Sequence, residues 1–145
     1  MDIALSEARK AAKRGEIPVG AVIVHAGEVL AKSGNRTREL NDPTAHAEIL
    51  VIREACHKLA RERLTGLDIY VTLEPCAICA ATIAAARIAR LYYGAPDPKS
   101  GGIEQGPRIF SHSQCHHKPE IYGGINEAES AALLQVFFAG LRGGS

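Results

Sequence analysis

One histidine, one glutamate and two cysteines stand where chemistry is possible. His46 and Glu48 are two residues apart in "PTAHAEIL", and Cys76 and Cys79 form a Cys-x-x-Cys in "TLEPCAIC". Thiolate and imidazole are zinc ligands. Structural zinc sites are closed by four protein ligands, whereas catalytic sites use three and keep one position for water. His46, Cys76 and Cys79 make three. Glu48 is then free to handle protons on the water that fills the open position. The Cys-x-x-Cys alone has other readings. A thioredoxin-like redox pair is disfavoured because the expected βαβ pattern does not trail an N-terminal motif. A zinc ribbon needs a second Cys-x-x-Cys, which the chain lacks. A lone histidine before an apolar helix is commonly a cap or core residue, and a lone helical Cys-x-x-Cys is commonly packing. The two motifs together outweigh those readings.

The spacing of His46 and Glu48 constrains the element that carries them. Residues i and i+2 do not share a helix face. Both reach one site only if the helix begins there, at about Thr44 to His46, with the metal just beyond its N-terminus. The cysteines also sit at a predicted helix start. Such ends present unpaired N–H groups and the positive end of the helix dipole, which favour thiolates and other anions.

The surrounding pattern supplies those elements. Residues 2–14 read as a helix with a stripe of Ile3, Leu5, Ala8, Ala11 and Ala12, ended by Gly15. "IPVGAVIV" (17–24) reads as a buried strand, followed by a turn around Gly27 and a second strand. A polar loop, "RTRELNDP", leads to a helix from Thr44 to about Arg63, with Thr44 as the expected N-cap. "LDIYVTL" (67–73) is a third strand. "EPCAICAATIAAARI" is a helix with Pro75 expected in its first turn, and "ARLYYGA" (89–95) is a fourth strand. Residues 94–107 read as a loop, and 109–124 as an ambiguous stretch with a short helix and a short strand near "EIYGG". A last helix spans Asn126 to Leu141. Alternating strands and helices predict an α/β class, and the 145 residues suit one domain over 1–145.

Composition excludes some classes. No apolar run approaches the roughly 18–20 residues of a membrane span. The opening "MDIALSEARKAAKRGE" scatters charges where a secretory leader would be apolar. Four cysteines without a leader point to reduced thiols in the cytoplasm. The formal charge of +1 neither suggests nor excludes a nucleic-acid partner. The basic face of residues 9–14 and the run "REACHKLARER" read as solvated helix faces. "HSQCHH" (112–117) lacks metal-ligand spacing and reads as a polar loop.

"HAE" followed by "PCAIC" matches the H-x-E…P-C-x-x-C signature of zinc-dependent nucleobase deaminases. Over nearly its whole length the chain resembles the bacterial tRNA-specific adenosine deaminases of that superfamily. The matching stretches are "IPVGAVIV", "GNRTRELNDPTAHAEI", "RLTGLDIYVTLEPCAICAATI", "RIARLYYGAPDPKSGG" and "LLQVFFAGLR". The resemblance implies a three-layer α-β-α, cytidine deaminase-like fold around a five-stranded mixed sheet. It also implies one Zn2+ per subunit and a cytoplasmic homodimer. The implied reaction is hydrolytic deamination of adenosine to inosine at the wobble position of a tRNA anticodon. His46, Cys76 and Cys79 would hold the zinc, and Glu48 would be the general acid/base. Asn35 would hydrogen-bond the purine, since an amide carries both donor and acceptor. Ala47 would offer its backbone, and Glu74 a backbone carbonyl near the leaving amine. Asp97, Lys99, Phe138 and Arg142 would contact the anticodon stem-loop. Ala77-Ile78, Ala85-Ala86 and residues 103–110 depart from the family's usual pattern, near the pocket mouth or the RNA. Two other readings stand beside this one: a deaminase of a free base or nucleotide such as guanine, cytosine or dCMP, and a non-catalytic zinc-stabilised binding domain.

Overall fold

A computed structural model describes residues 1–143, with side chains through Leu141. Helix α1 spans Asp2–Lys13 and buries Ala4, Leu5, Ala8 and Ala11, the three- and four-residue spacing of one helix face. Gly15, at φ +84°, turns the chain out of it. Strands β1 (Gly20–His25) and β2 (Glu28–Gly34) form an antiparallel hairpin. Its turn residues Ala26 and Gly27 both have positive φ, as a two-residue hairpin of this twist requires. Helix α2 spans Ala47–Leu59, β3 Asp68–Leu73, α3 Ala77–Ala85, β4 Arg90–Ala95, β5 Glu120–Tyr122 and α4 Glu127–Gly143.

The five strands lie in the order β2-β1-β3-β4-β5. β1 runs antiparallel to β2 and β3, while β3, β4 and β5 run parallel. Helices α1 and α4 cover one face and α2 and α3 the other, giving the expected three layers. The α1 backbone lies directly over Gly20, where a Cβ would strike Ala4 and Ala8, so no larger residue fits the packing there. The core runs through Ile23, Ile69, Val71 and Leu91 of the central strands and Val51 and Ile83 of the helices, all fully buried. Because β3 and β4 are parallel, the loops that leave their carboxyl ends open on one edge of the sheet, where crevices form in such folds.

Several boundaries differ from the sequence expectation for local reasons. β1 starts at Gly20 rather than Ile17: Pro18 has no N–H for a ladder, and Val19 N–H closes a tight turn onto the Ile17 carbonyl at 2.8 Å. Thr44 does not cap α2. Its N–H and hydroxyl both donate to Asp42 Oδ1, at 2.8 and 2.7 Å, in an Asx turn that precedes the helix. α2 ends at Leu59, short of Arg63, because Ala60 turns left-handed at φ 52°. Pro75 lies outside α3, whose N-cap is Cys76. The ambiguous stretch resolves into a 3-10 turn at Ile109–Ser111 and the three-residue β5.

Candidate active site

The site assembles at the starts of α2 and α3. His46 is the N-cap of α2, with extended backbone at φ −72° and ψ 148°. Its side chain therefore leaves ahead of the helix, while Glu48 projects from the first turn. This resolves the i, i+2 spacing, and it places the first helical residue at Ala47, one residue past the expected start at Thr44 to His46. The cap bond comes from elsewhere. Asn35 Oδ1, just past β2, accepts the Ala47 N–H at 2.8 Å, and Asn35 Nδ2 donates to the Ile17 carbonyl at 3.2 Å. One amide thus ties three segments together at the mouth of the site.

Cys76 caps α3 in the same manner, with extended backbone at φ −73° and ψ 177°. β3 reaches it through Glu74, whose N–H donates to the Ala95 carbonyl at 2.8 Å, extending the parallel pairing by one bond. Cys79 sits one helical turn on and is fully buried. His46 Nδ1 lies 3.6 Å from Cys76 Sγ and 3.4 Å from Cys79 Sγ. The three ligand atoms all lie within 4.8 Å of one another. Tetrahedral zinc at ordinary bond lengths needs about 3.5 Å between a nitrogen and a sulfur ligand. The triangle therefore fits that ion closely.

The electrostatics agree. The Cys79 thiol hydrogen-bonds to Cys76, and this, with help from His46, pulls Cys76 down to about 4. Cys79 is pushed strongly up, because it keeps the proton the pair shares and because it is buried. His46 is raised, first by its hydrogen bond to Cys76. A lowered Cys76 pKa beside a proton shared with Cys79 suits a donor set that gives up its protons to a divalent cation. Glu48 is 4% exposed, and burial raises its pKa. Its Oε1 is buried with no hydrogen-bond partner. A carboxyl oxygen in that state is costly, and its position beside the ligand triangle suits a proton carrier between water and substrate.

A cleft of about 490 Å³ opens onto these groups. Asn35, His46, Glu48, Glu74 and Cys76 line it, as do Asp97, Lys99 and Phe138. Ala47, between His46 and Glu48 in the chain, is fully buried. Arg142 falls in α4, but its side chain lies outside the described residues. Sequence reasoning missed several lining residues: Ile17 and Val19 before β1, Leu73, Pro96, Ser100, and Leu134 of α4. Leu134 stands one helical turn before Phe138, and that spacing could have drawn attention to it. It also missed two buried carboxylates behind the rims. Glu16, 1% exposed, accepts the N–H groups of Arg38 at 3.1 Å and Glu39 at 2.8 Å. Glu74, 2% exposed, accepts four N–H groups from residues 97–105. Asp97 directs its own carboxylate at the N–H groups of Lys99 and Ser100, shaping the rim.

Residues 1–95 match the family model for the cytidine and deoxycytidylate deaminase zinc-binding region. A tRNA-specific adenosine deaminase of Agrobacterium fabrum is 62% identical over 138 residues, covering 95% of this chain and 91% of the relative. One from Rickettsia bellii is 48% identical, covering 96% and 97%. A solved structure from studies of A-to-I editing by tRNA:A34 deaminases at the wobble position of transfer RNA superposes with a TM-score of 0.91 at 63% identity, covering 92% of this chain and 97% of that one. With the ligand triangle in place and this extent of match, the chain belongs to the cytidine and deoxycytidylate deaminase zinc-binding family and, within it, to the tRNA-specific adenosine deaminases.

Proposed function

We propose that this chain hydrolyses the exocyclic amine of the wobble adenosine in a tRNA anticodon, giving inosine and ammonia. The observation that carries the reading is the His46–Cys76–Cys79 triangle with the unpartnered Glu48 Oε1 beside it, on the lining of a cleft. When bound, zinc supplies a Lewis acid that makes water nucleophilic near neutral pH. The chain's own residues do the rest. Glu48 takes a proton from the attacking water and delivers it to N1 of the purine. It then transfers the second water proton to the departing amine. Its raised pKa suits both directions of transfer. Asn35 keeps one Nδ2 hydrogen after its bonds to Ala47 and Ile17, and that hydrogen is the donor offered to the purine. The Glu74 carbonyl faces the leaving amine, and the rigid start of α2 at Ala47 backs the ring. Asp97, Lys99 and Phe138 line the cleft where the RNA strand enters, and Arg142 joins them on the resemblance alone. A tRNA loop suits such a cleft because its bases can be splayed out and read on their edges. The same reading has residues 1–145 as one deaminase domain that acts in the cytoplasm as a homodimer. Ile78, 54% exposed on α3, is an apolar side chain available to a second copy.

Zinc-loaded protein is to be incubated with an anticodon stem-loop RNA bearing a wobble adenosine and, separately, with guanine, cytidine and dCMP. Mass analysis should find inosine in the RNA alone. Turnover of a free base or nucleotide with the RNA left intact would replace this reading with that of a small-molecule deaminase.

A further inference from the structure

The Glu74 side chain does something its backbone role does not require. Its carboxylate is buried between the end of β3 and the rim loop 96–105. Oε1 accepts the Asp97 N–H at 3.0 Å. Oε2 accepts the N–H groups of Ile103, Glu104 and Gln105, at 3.1, 2.9 and 3.1 Å. Successive backbone N–H groups that converge in this way make a concave anion nest. Here the nest is filled by a side chain of the protein. The loop is shaped to close on it. A Cβ on Gly101 would stand 2.6 Å from the Glu74 carboxylate, and one on Gly102 would meet Ala77 at 2.7 Å. Gly101 also bridges to Cys76, and Gly102 N–H donates to the Pro75 carbonyl at 2.8 Å. The loop is therefore docked on the segment that carries a zinc ligand, and its other side, Pro96, Asp97, Lys99 and Ser100, lines the cleft.

We propose that the Glu74 carboxylate is a positioning residue for substrate: it holds the 96–105 rim in the arrangement that presents Asp97, Lys99 and Ser100 to the RNA strand. This rests on the tRNA reading above for its substrate, but not for the anchoring itself. Both oxygens serve as acceptors, so an amide, with only one acceptor oxygen, cannot replace them. Glu74→Gln must turn its NH2 toward either the Asp97 N–H or the three N–H groups opposite, where donor meets donor. The ligand triangle does not involve this side chain, so the floor of the site should survive.

The test combines two readouts on zinc-loaded Glu74→Gln. With the stem-loop RNA, KM should rise about tenfold, the scale of a lost charge-assisted hydrogen bond, a larger change than any in kcat, and zinc content stays at the wild-type level. Amide hydrogen exchange should quicken at Asp97 or at Ile103–Gln105 while β3 and β4 stay protected. Gly101→Ala, which crowds the same carboxylate from the loop side, should reproduce both effects and serves if Glu74→Gln does not fold. Unchanged KM with unchanged exchange overturns the proposal, as does a fall in kcat that tracks lost zinc. If wild-type protein makes no inosine in any RNA, the tRNA reading fails, and the exchange measurement still decides the anchoring.

Discussion

At the scale of single residues, Glu48 carries the sharpest consequences. Glu48→Gln keeps the shape and removes the proton carrier, so turnover should fall by about 10²–10⁴-fold, the usual contribution of a general acid/base. Zinc content should be unchanged, because the three ligands are untouched. Retained activity would remove Glu48 from the mechanism. The same variant has an opposite effect on stability. Burial holds the Glu48 pKa above its ordinary value in the folded, metal-free protein. At low pH both folded and unfolded states keep the proton. As pH rises past the ordinary carboxylate range the unfolded chain releases it first, and the fold loses stability until the buried group also ionises. Metal-free Glu48→Gln, which cannot ionise, should therefore match metal-free wild type at about pH 4 and become the more stable of the two as pH rises. Denaturant melts at several pH values check this. A gap that does not change with pH, or one favouring wild type, would contradict the assigned cause.

At the scale of elements, the start of α2 shows what sequence could and could not say. The grouping of His46, Cys76 and Cys79 and the proximity of Glu48 were expected from residue types, because zinc chemistry restricts ligands and the i, i+2 spacing demands a helix end. The strands and helices were legible for a similar reason: β-branched runs and Ala-rich stripes are local signals. What was not legible is non-local. Thr44 has the right type for an N-cap, yet Asp42 captures it two residues earlier in the chain. The group that does satisfy the Ala47 N–H is Asn35, twelve residues away across a loop, and no local pattern indicates that. Glu16 and Glu74 were opaque in the same way, since only the folded loops bring N–H groups to them. The Asn35 bond separates two roles experimentally. Asn35→Ala leaves the Ala47 N–H buried and unpaired, which should cost about 1–3 kcal/mol. Asn35→Asp restores the acceptor and should recover most of that stability. It has no amide hydrogen for the purine, so its activity should stay low despite the recovered fold. Thermal melts and inosine assays on the pair give the result. Full activity in Asn35→Asp would assign the residue to architecture alone.

At the scale of the whole molecule, the ligand triangle joins what the sheet otherwise holds apart. His46 and the two cysteines come from different helices, each entering from a different strand, and they meet at the helix starts, beyond the carboxyl end of β3. Among the described residues, the hydrophobic cluster from Ile23 and Ile69 to Val51 and Ile83 packs without His46 or Cys76, and only Cys79 of the three is itself fully buried. Zinc should therefore stabilise this fold without being required for it, unlike a small zinc-stapled domain that is unfolded without metal. Binding to the native state alone adds about 2.7 kcal/mol at a free zinc concentration a hundredfold above Kd. For a domain of this size that corresponds to a rise in Tm on the order of 8 °C. Stripping the metal with a chelator should lower Tm by at least this amount and leave the far-UV circular dichroism unchanged at 25 °C. Losses of amide protection should concentrate at the first turns of α2 and α3, where His46, Cys76 and Cys79 no longer have a common partner. A chelated protein that loses its helices at room temperature would mean that the hydrophobic core is not self-sufficient, and that the metal is part of the fold as well as of the reaction.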